Sequence, residues 1–195
     1  MLAARARARG LGASRKRVLA HSGCGVGQPG ASPGRFRSYG EALRTVAVQR
    51  ELPFDRLDVF KVVVDVVKYP EFLPYCTEAS MTSFGNQQMR AEVVFAHKLF
   101  QERMQYEISW KSPEMVLSVA TDTKFAKRIE YLWHFEETKP HRTLVDVELK
   151  VAFTSSSSAF LFDMFADRIQ DRVFQAFAGR IRELARLSKE RESTV

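Results

Sequence analysis

Two cysteines in 195 residues cannot build a disulfide framework. Cys24 falls in an Arg-rich leader, so Cys76 stands alone in the body of the chain, as suits a reducing compartment. No stretch reaches the ~18 apolar residues that a membrane-spanning helix needs. There is no G-x-G-x-x-G, no P-loop and no G-x-S-x-G, which removes the commonest nucleotide and acyl-transfer signatures. His97, His134 and His141 lack metal-ligand spacing, and no metal is expected. His134, between Trp133 and Phe135 in an alternating stretch, should face solvent. Cys76 has no histidine beside it and reads as a buried, inert thiol rather than a nucleophile. Glu136 and Glu137 read as a solvated strand end, not an acid–base pair.

Acids are missing altogether from the first forty residues, which hold Arg5, Arg7, Arg9, Arg15, Lys16, Arg17, Arg35 and Arg37. The whole chain carries +7, with 30 basic and 23 acidic residues. Removing those eight leaves 22 basic against 23 acidic, a net −1 for residues 41–195. A nucleic-acid binder needs its basic face on the folded domain, so no nucleic-acid partner is expected. The leader itself is Arg-rich, acid-free and rich in Ser, Gly and Ala without a long apolar core. That is the composition of a mitochondrial transit peptide. Residues 1–39 are expected to be such a peptide, cut near the Arg35-Phe36-Arg37-Ser38-Tyr39 stretch.

What is present is a sheet and a long helix. Residues 44–52 read as a short strand that Pro53 ends. Asp55 is expected to cap a helix with Leu57, Phe60, Val63, Val64 and Val67 on one face. Pro70 and Pro74 allow only a short helical turn and a bend over 69–76. Strands follow over 78–84, 89–96, 100–111, 115–120, 129–136 and 144–153, with turns at Gly85-Asn86, Ser112-Pro113-Glu114 and Lys139-Pro140-His141. The strand at 144–153 alternates most cleanly: Val145, Val147, Leu149, Val151 and Phe153 against Asp146, Glu148 and Lys150. No acid, base or nucleophile is expected to converge from the inward-facing positions. A serine run then caps a helix over 158–188, about 45 Å long, with Phe162, Phe165, Ile169, Val173, Phe177, Ile181 and Leu184 on its apolar face. One-sided strands in hairpin succession give an antiparallel sheet with one covered side, and twist curls it. The fold class is α+β: a curved antiparallel sheet of about seven strands around a long C-terminal helix. Such a sheet gripping a Phe-rich helix leaves room for an elongated apolar cavity.

The cavity is expected to be lined by Phe95, Tyr106, Ile108, Trp133, Val147, Phe165, Ile169 and Val173. Its mouth, and an apolar rim against a membrane, are expected at Tyr69, Phe72, Pro74 and Tyr75 of the bend and at Phe160 and Phe162 of the helix.

The stretch Val67-Lys68-Tyr69-Pro70-Glu71-Phe72-Leu73-Pro74-Tyr75-Cys76 closely resembles the Tyr-Pro-x-Phe-x-Pro-Trp/Tyr-Cys signature of the coenzyme Q-binding START-domain family, which are polyketide-cyclase-like helix-grip proteins. Weaker matches are Trp133-His134-Phe135, the strand ending at Phe153, and 173–177 in the last helix. The resemblance covers about 43–187; Asp122-Thr123-Lys124-Phe125 departs from the family's Asp-Gly-Pro-Phe-like turn. It implies a START-like lipid-binding domain over 43–188, followed by a disordered tail over 189–195. It further implies non-catalytic binding of ubiquinone (coenzyme Q) or another polyprenyl lipid, with no catalytic cofactor. The implied place is the matrix side of the mitochondrial inner membrane, in peripheral contact, in support of respiration and of the coenzyme Q synthesis machinery. The rivals are a ribosome-associated protein, like the family's bacterial toxin members, and a cyclase-type enzyme.

Overall fold

The computed structural model describes residues 42–97, 100–121 and 123–192. The expected transit peptide, Asp122 and residues 193–195 lie outside the described residues, as do the side chains of His97 and Phe165. The chain runs through β1 (Ala42–Leu52), α1 (Arg56–Val64), a 3₁₀ turn (Val66–Lys68), α2 (Tyr69–Phe72), β2 (Cys76–Gly85), β3 (Gln88–His97), β4 (Phe100–Lys111), β5 (Met115–Thr121), β6 (Ala126–Lys139), β7 (Arg142–Phe153) and α3 (Ser156–Glu192).

Among the described residues the strands form one seven-stranded sheet in the order β1-β7-β6-β5-β4-β3-β2, every pair antiparallel. β1 and β2 thus sit at opposite edges, and the segment of short helices carries the chain from one edge to the other. Alternation sets the faces. Val145, Val147, Leu149, Val151 and Phe153 of β7 are buried, and so are Ile129, Trp133 and Phe135 of β6. His134 is exposed, as its place between two inward aromatics requires.

The first helix is shorter than its apolar pattern suggests. A helix continuing from Arg56 into α2 would need a donor at Pro70, which has none, and the ring would strike the carbonyl four residues back. The chain breaks at Asp65 (φ −78°, ψ 67°) and restarts with Pro70 in the first turn of α2. Asp55 occupies the cap position, and its carbonyl oxygen accepts from the Asp58 and Val59 amides, both at 3.1 Å. Its side chain makes no cap, however; it meets Nδ1 of His141 at 2.9 Å.

α3 begins two residues before the expected start and runs four past the expected end. Its 37 residues span about 55 Å. Ser155 supplies the cap: its Oγ accepts the Ser158 amide at 3.1 Å. Phe174, Phe177, Ala178 and Ile181 bury its second half. Phe177 is the hub there, with the rings of Trp133, Phe72 and Tyr69 at 5.0, 5.2 and 5.4 Å. The signature stretch is therefore a wedge between α3 and the sheet, and the Tyr69 hydroxyl fixes it by donating to the Val63 carbonyl at 2.7 Å.

Candidate functional site

Where the first half of α3 crosses the sheet, packing is looser. Val48 of β1, Val147 of β7, Tyr131 and Trp133 of β6, and Ile169, Gln170, Val173 and Phe174 of α3 enclose a hollow of about 20 Å³. A cavity of roughly 10–15 Å³ holds one water, so the wide cavity expected from the sequence is not open here. The side chains have closed the curled sheet onto the helix. The walls are apolar except for Gln170 and the Tyr131 hydroxyl. That hydroxyl has no hydrogen-bond partner among the described residues, and desolvation pushes its pKa up to about 12. Burial raises those of Tyr106 and Tyr69 further still. Three neutral phenols thus occupy the concave side, and Tyr106 has only the Met104 sulfur, at 3.5 Å, as partner.

Of the expected lining, Trp133, Val147, Ile169 and Val173 come together around the hollow. Ile169 is at its rim, 46% exposed, not inside. Tyr106 and Ile108 are buried in the concave face of β4, and Phe95 is half-buried on β3 against the core, all outside the hollow. Phe165 lies on α3, its side chain beyond what is described. Val48, Tyr131 and Phe174 are additions to the expected set. Tyr131 shares the alternation of Trp133, so the sequence held its signal. Phe174 lies three residues before Phe177 and seven before Ile181, on the same helical face, so its signal too was in the sequence.

The expected mouth divides in two. Tyr69 and Phe72 pack inward against Phe177, because an edge-on aromatic cluster buries more apolar area than a rim does. Pro74 is half-buried. Tyr75, in a left-handed turn (φ 66°), accepts at its hydroxyl oxygen a hydrogen bond from Nη1 of Arg172 at 2.8 Å. Phe162 packs on Phe153 at 5.2 Å. Phe160 stays out, 65% exposed, beside Leu161 at 56% and Met164 at 57%. Twelve residues of α3 separate Phe160 from Arg172, about 18 Å, so the bend and Phe160 do not share one opening.

Ion pairs strap this half of α3 to the edge strand. Nε of Arg44 donates to the Asp163 carboxylate at 2.8 Å, and Nη2 of Arg50 to Asp171 at 2.6 Å. Asp163 holds the Arg44 guanidinium above its ordinary pKa by that hydrogen bond. A second groove, of about 390 Å³, runs between α1 and the end of α3, among Asp58, Lys61, Asp65, Lys68 and Arg180. Val62, Phe72, Ile181, Leu184 and Ala185 share its walls with those charged groups, so its lining is mixed.

One inward position is not apolar. Glu102 of β4 is 2% exposed on the same side as Met104, Tyr106 and Ile108. This corrects the expectation that no acid points in. A strand ladder that alternates so cleanly from 104 to 111 continues unbroken to 102, where a charged residue masks the pattern. Among the described residues no three His, Cys, Asp or Glu side chains gather as metal ligands, and no helix is long and apolar enough to cross a membrane.

Comparison with known proteins agrees with this architecture. The chain is 25% identical over 143 residues to the mitochondrial coenzyme Q-binding protein COQ10 of Dictyostelium discoideum, covering 72% of this chain and 70% of that one. It is 28% identical over 136 residues to the COQ10 homolog B of Xenopus laevis, 67% of this chain but only 56% of the relative. It is 24% identical over 135 residues to the ribosome association toxin RatA of Rickettsia prowazekii, covering 68% and 92%. Among solved structures, a START superfamily protein of Mycobacterium smegmatis superposes with a TM-score of 0.64 at 14% identity, over 72% of this chain and 98% of that one. The Zhui aromatase/cyclase of a Streptomyces species gives 0.66 at 10% identity, over 72% and 94%. The fold is the START-like helix grip. Residues 52–178, well over half of the chain, match the family described as polyketide cyclase/dehydrase and lipid transport, and the chain belongs to that family.

Proposed function

We propose that this chain binds coenzyme Q (ubiquinone), or its polyprenylated precursors, between the concave face and α3, as a non-catalytic lipid carrier. The observation that carries the proposal is the hollow itself: apolar walls of Trp133, Val147, Val173 and Phe174 around one unpartnered phenol, Tyr131. A quinone ring offers only carbonyl and ether acceptors, and the Tyr131 hydroxyl is a donor. Burying the tail is worth ~0.8 kcal/mol per CH₂ against water. A bilayer is as apolar as the hollow, so a carrier must cover the tail while it leaves the membrane.

At about 20 Å³ the hollow admits no isoprene unit, so loading requires the first half of α3 to lift from the sheet. That half is built for it. Its outer surface bears Phe160, Leu161 and Met164, all exposed, with Arg168 and Arg172 beside them. A membrane surface would cover this stripe and favour the lifted helix. The relatives named above as coenzyme Q-binding are also named mitochondrial. We place this chain at the matrix face of the inner membrane, in peripheral contact, supporting respiration and ubiquinone synthesis, with the synthesis machinery as a partner. The exposed apolar stripe on a nearly neutral domain favours a lipid surface over ribosomal RNA.

The test is lipid extraction of the purified chain followed by mass spectrometry. Recovered ubiquinone or a polyprenylated precursor supports the proposal. An empty protein that co-sediments with ribosomes would replace it with the ribosome-associated reading.

A further inference from the structure

Glu102 has an acceptor that the fold meets with an ion pair but with no hydrogen bond. Its Oε1 accepts the backbone N–H of Lys124 at 2.8 Å. The Lys124 ammonium stands 3.5 Å from Oε2 but donates its own hydrogen bond to the Gln101 carbonyl at 2.9 Å. Oε2 is left buried without a hydrogen bond. Buried charged acceptors are rarely left so, because water satisfied them before folding. If Glu102 only fastened the turn at Lys124, one oxygen would suffice and Gln would serve as well.

Position gives the second oxygen a use. Gln101, Arg103, Gln105 and Glu107 of β4 are exposed, whereas Glu102, Met104, Tyr106 and Ile108 line the concave side. Tyr106 lies four residues from Glu102, about 13 Å along the strand. Ile108 pairs with Ser118, which pairs with Tyr131 at the hollow. The carboxylate, the Tyr106 phenol and Tyr131 at the hollow thus share the concave face, with Tyr131 two strands across from β4 and about 20 Å along it from Glu102.

We propose that Glu102 is a headgroup anchor that selects hydrogen-bond donors, so that the site prefers a hydroquinone to the corresponding quinone. This rests on the quinone-binding reading above and goes further. A carboxylate paired with a lysine only accepts. The carbonyl oxygens of a quinone also only accept, and would meet Oε2 lone pair to lone pair. A hydroquinone hydroxyl donates to it, in a charge-assisted bond stronger than a neutral one. The ring then sits at Glu102, and its tail runs past Tyr106 and Tyr131 toward the hollow.

The experiment is equilibrium dialysis of the full chain, under argon, against decyl-ubiquinol and decyl-ubiquinone, each quantified by chromatography. The hydroquinone should bind about tenfold tighter or better, the size of one hydrogen bond to a charged group. Glu102→Gln, whose amide can also donate, should bring the two within about twofold of each other, with quinone affinity kept or raised. A wild-type ratio near one, or a preference that Glu102→Gln leaves intact, would overturn the anchor and spare the quinone reading. Binding of neither form would sink both. The wild-type ratio needs no variant, so the test stands even if Glu102→Gln does not fold.

Discussion

Arg50 of β1 and Asp171 of α3 meet at 2.6 Å, next to the residues that close the hollow. The guanidinium of Arg50 also lies 4.8 Å over the Phe174 ring. One side chain therefore ties the helix to the edge strand by charge and by its flat face. Arg44 and Asp163 repeat the ion pair two turns earlier. Beyond these pairs, that half is held by Phe162 on Phe153 and by buried Ala159 and Ala166, while Phe160, Leu161 and Met164 are exposed.

Asp171→Asn should loosen that half without unfolding the domain. Asp171 is half exposed, and such pairs contribute less than about 1 kcal/mol. The urea midpoint should therefore shift only slightly. Amide hydrogen exchange over 158–172 should nevertheless speed up, while that of Phe177 to Ile181 stays slow. Uniform protection in wild type and variant would show that the strap holds nothing.

Phe177→Ala should be the opposite case. Its ring is buried and meets Trp133, Phe72 and Tyr69. Loss of a buried Phe costs roughly 3–5 kcal/mol, a large part of a domain's total stability of about 5–15 kcal/mol. Chemical denaturation should show that loss, and Leu184→Ala on the exposed side of the same helix should show almost none.

How much of this is legible in the chain follows from where local rules decide. β7 is legible residue by residue, because Val145 to Phe153 alternate and one face is buried. The strand pairs follow from their turns. The closing of β1 onto β7 is a long-range pairing that no local pattern carries. The helix at 56–64 looks longer in sequence because its valines run on, while the decisive residue, Pro70, stands six residues past its end. The site is half legible. Alternation names Trp133 and Val147, but no periodicity distinguishes a wall from a packed core, and so Tyr106 and Ile108 pass for cavity residues. Glu102 escapes the pattern because a charged side chain is normally counted outward.

Cys76 should be slow to alkylate, and the reason is titration. Desolvation pushes its thiol from 9.0 up to about 11, and the thiolate is the reactive form. At pH 8 that rise leaves about a hundredfold less thiolate than an ordinary cysteine presents. With Cys24 replaced by Ser, iodoacetamide should react slowly in the native protein and at the ordinary rate in denaturant. The native rate should climb tenfold per pH unit until about 11 and then level. The raised value also favours the folded state only below pH 9, an advantage lost as pH rises from 9 to about 11. A native rate equal to the denatured one at pH 8 would show the thiol to be accessible.

Membrane association should depend on Phe160, Leu161 and Met164 and far less on Phe162. The first three are exposed; the fourth packs on Phe153 and belongs to the core. Serine at all three exposed positions should abolish flotation with liposomes of mitochondrial lipid composition while leaving the thermal midpoint nearly unchanged. Flotation that survives the triple change would move the docking surface elsewhere.

Val173→Phe offers a way to fill the hollow rather than dismantle it. Val173 is half-buried at its wall, with Trp133 and Tyr131 opposite. A larger ring there occupies the space a tail would enter, at an overpacking cost of roughly 1–3 kcal/mol. Trp133→Ala is the blunter variant, because Trp133 also packs on Phe135 and Phe177, so lost quinone and lost stability would fall together. Val173→Phe should retain a cooperative unfolding transition and carry several-fold less co-purified quinone than wild type. Lys150→Ala, on the outer face of β7, should carry the wild-type amount. Equal quinone in all three would mean that the tail does not pass between Val173 and the sheet, and the space under α3 would lose its claim to be the binding site.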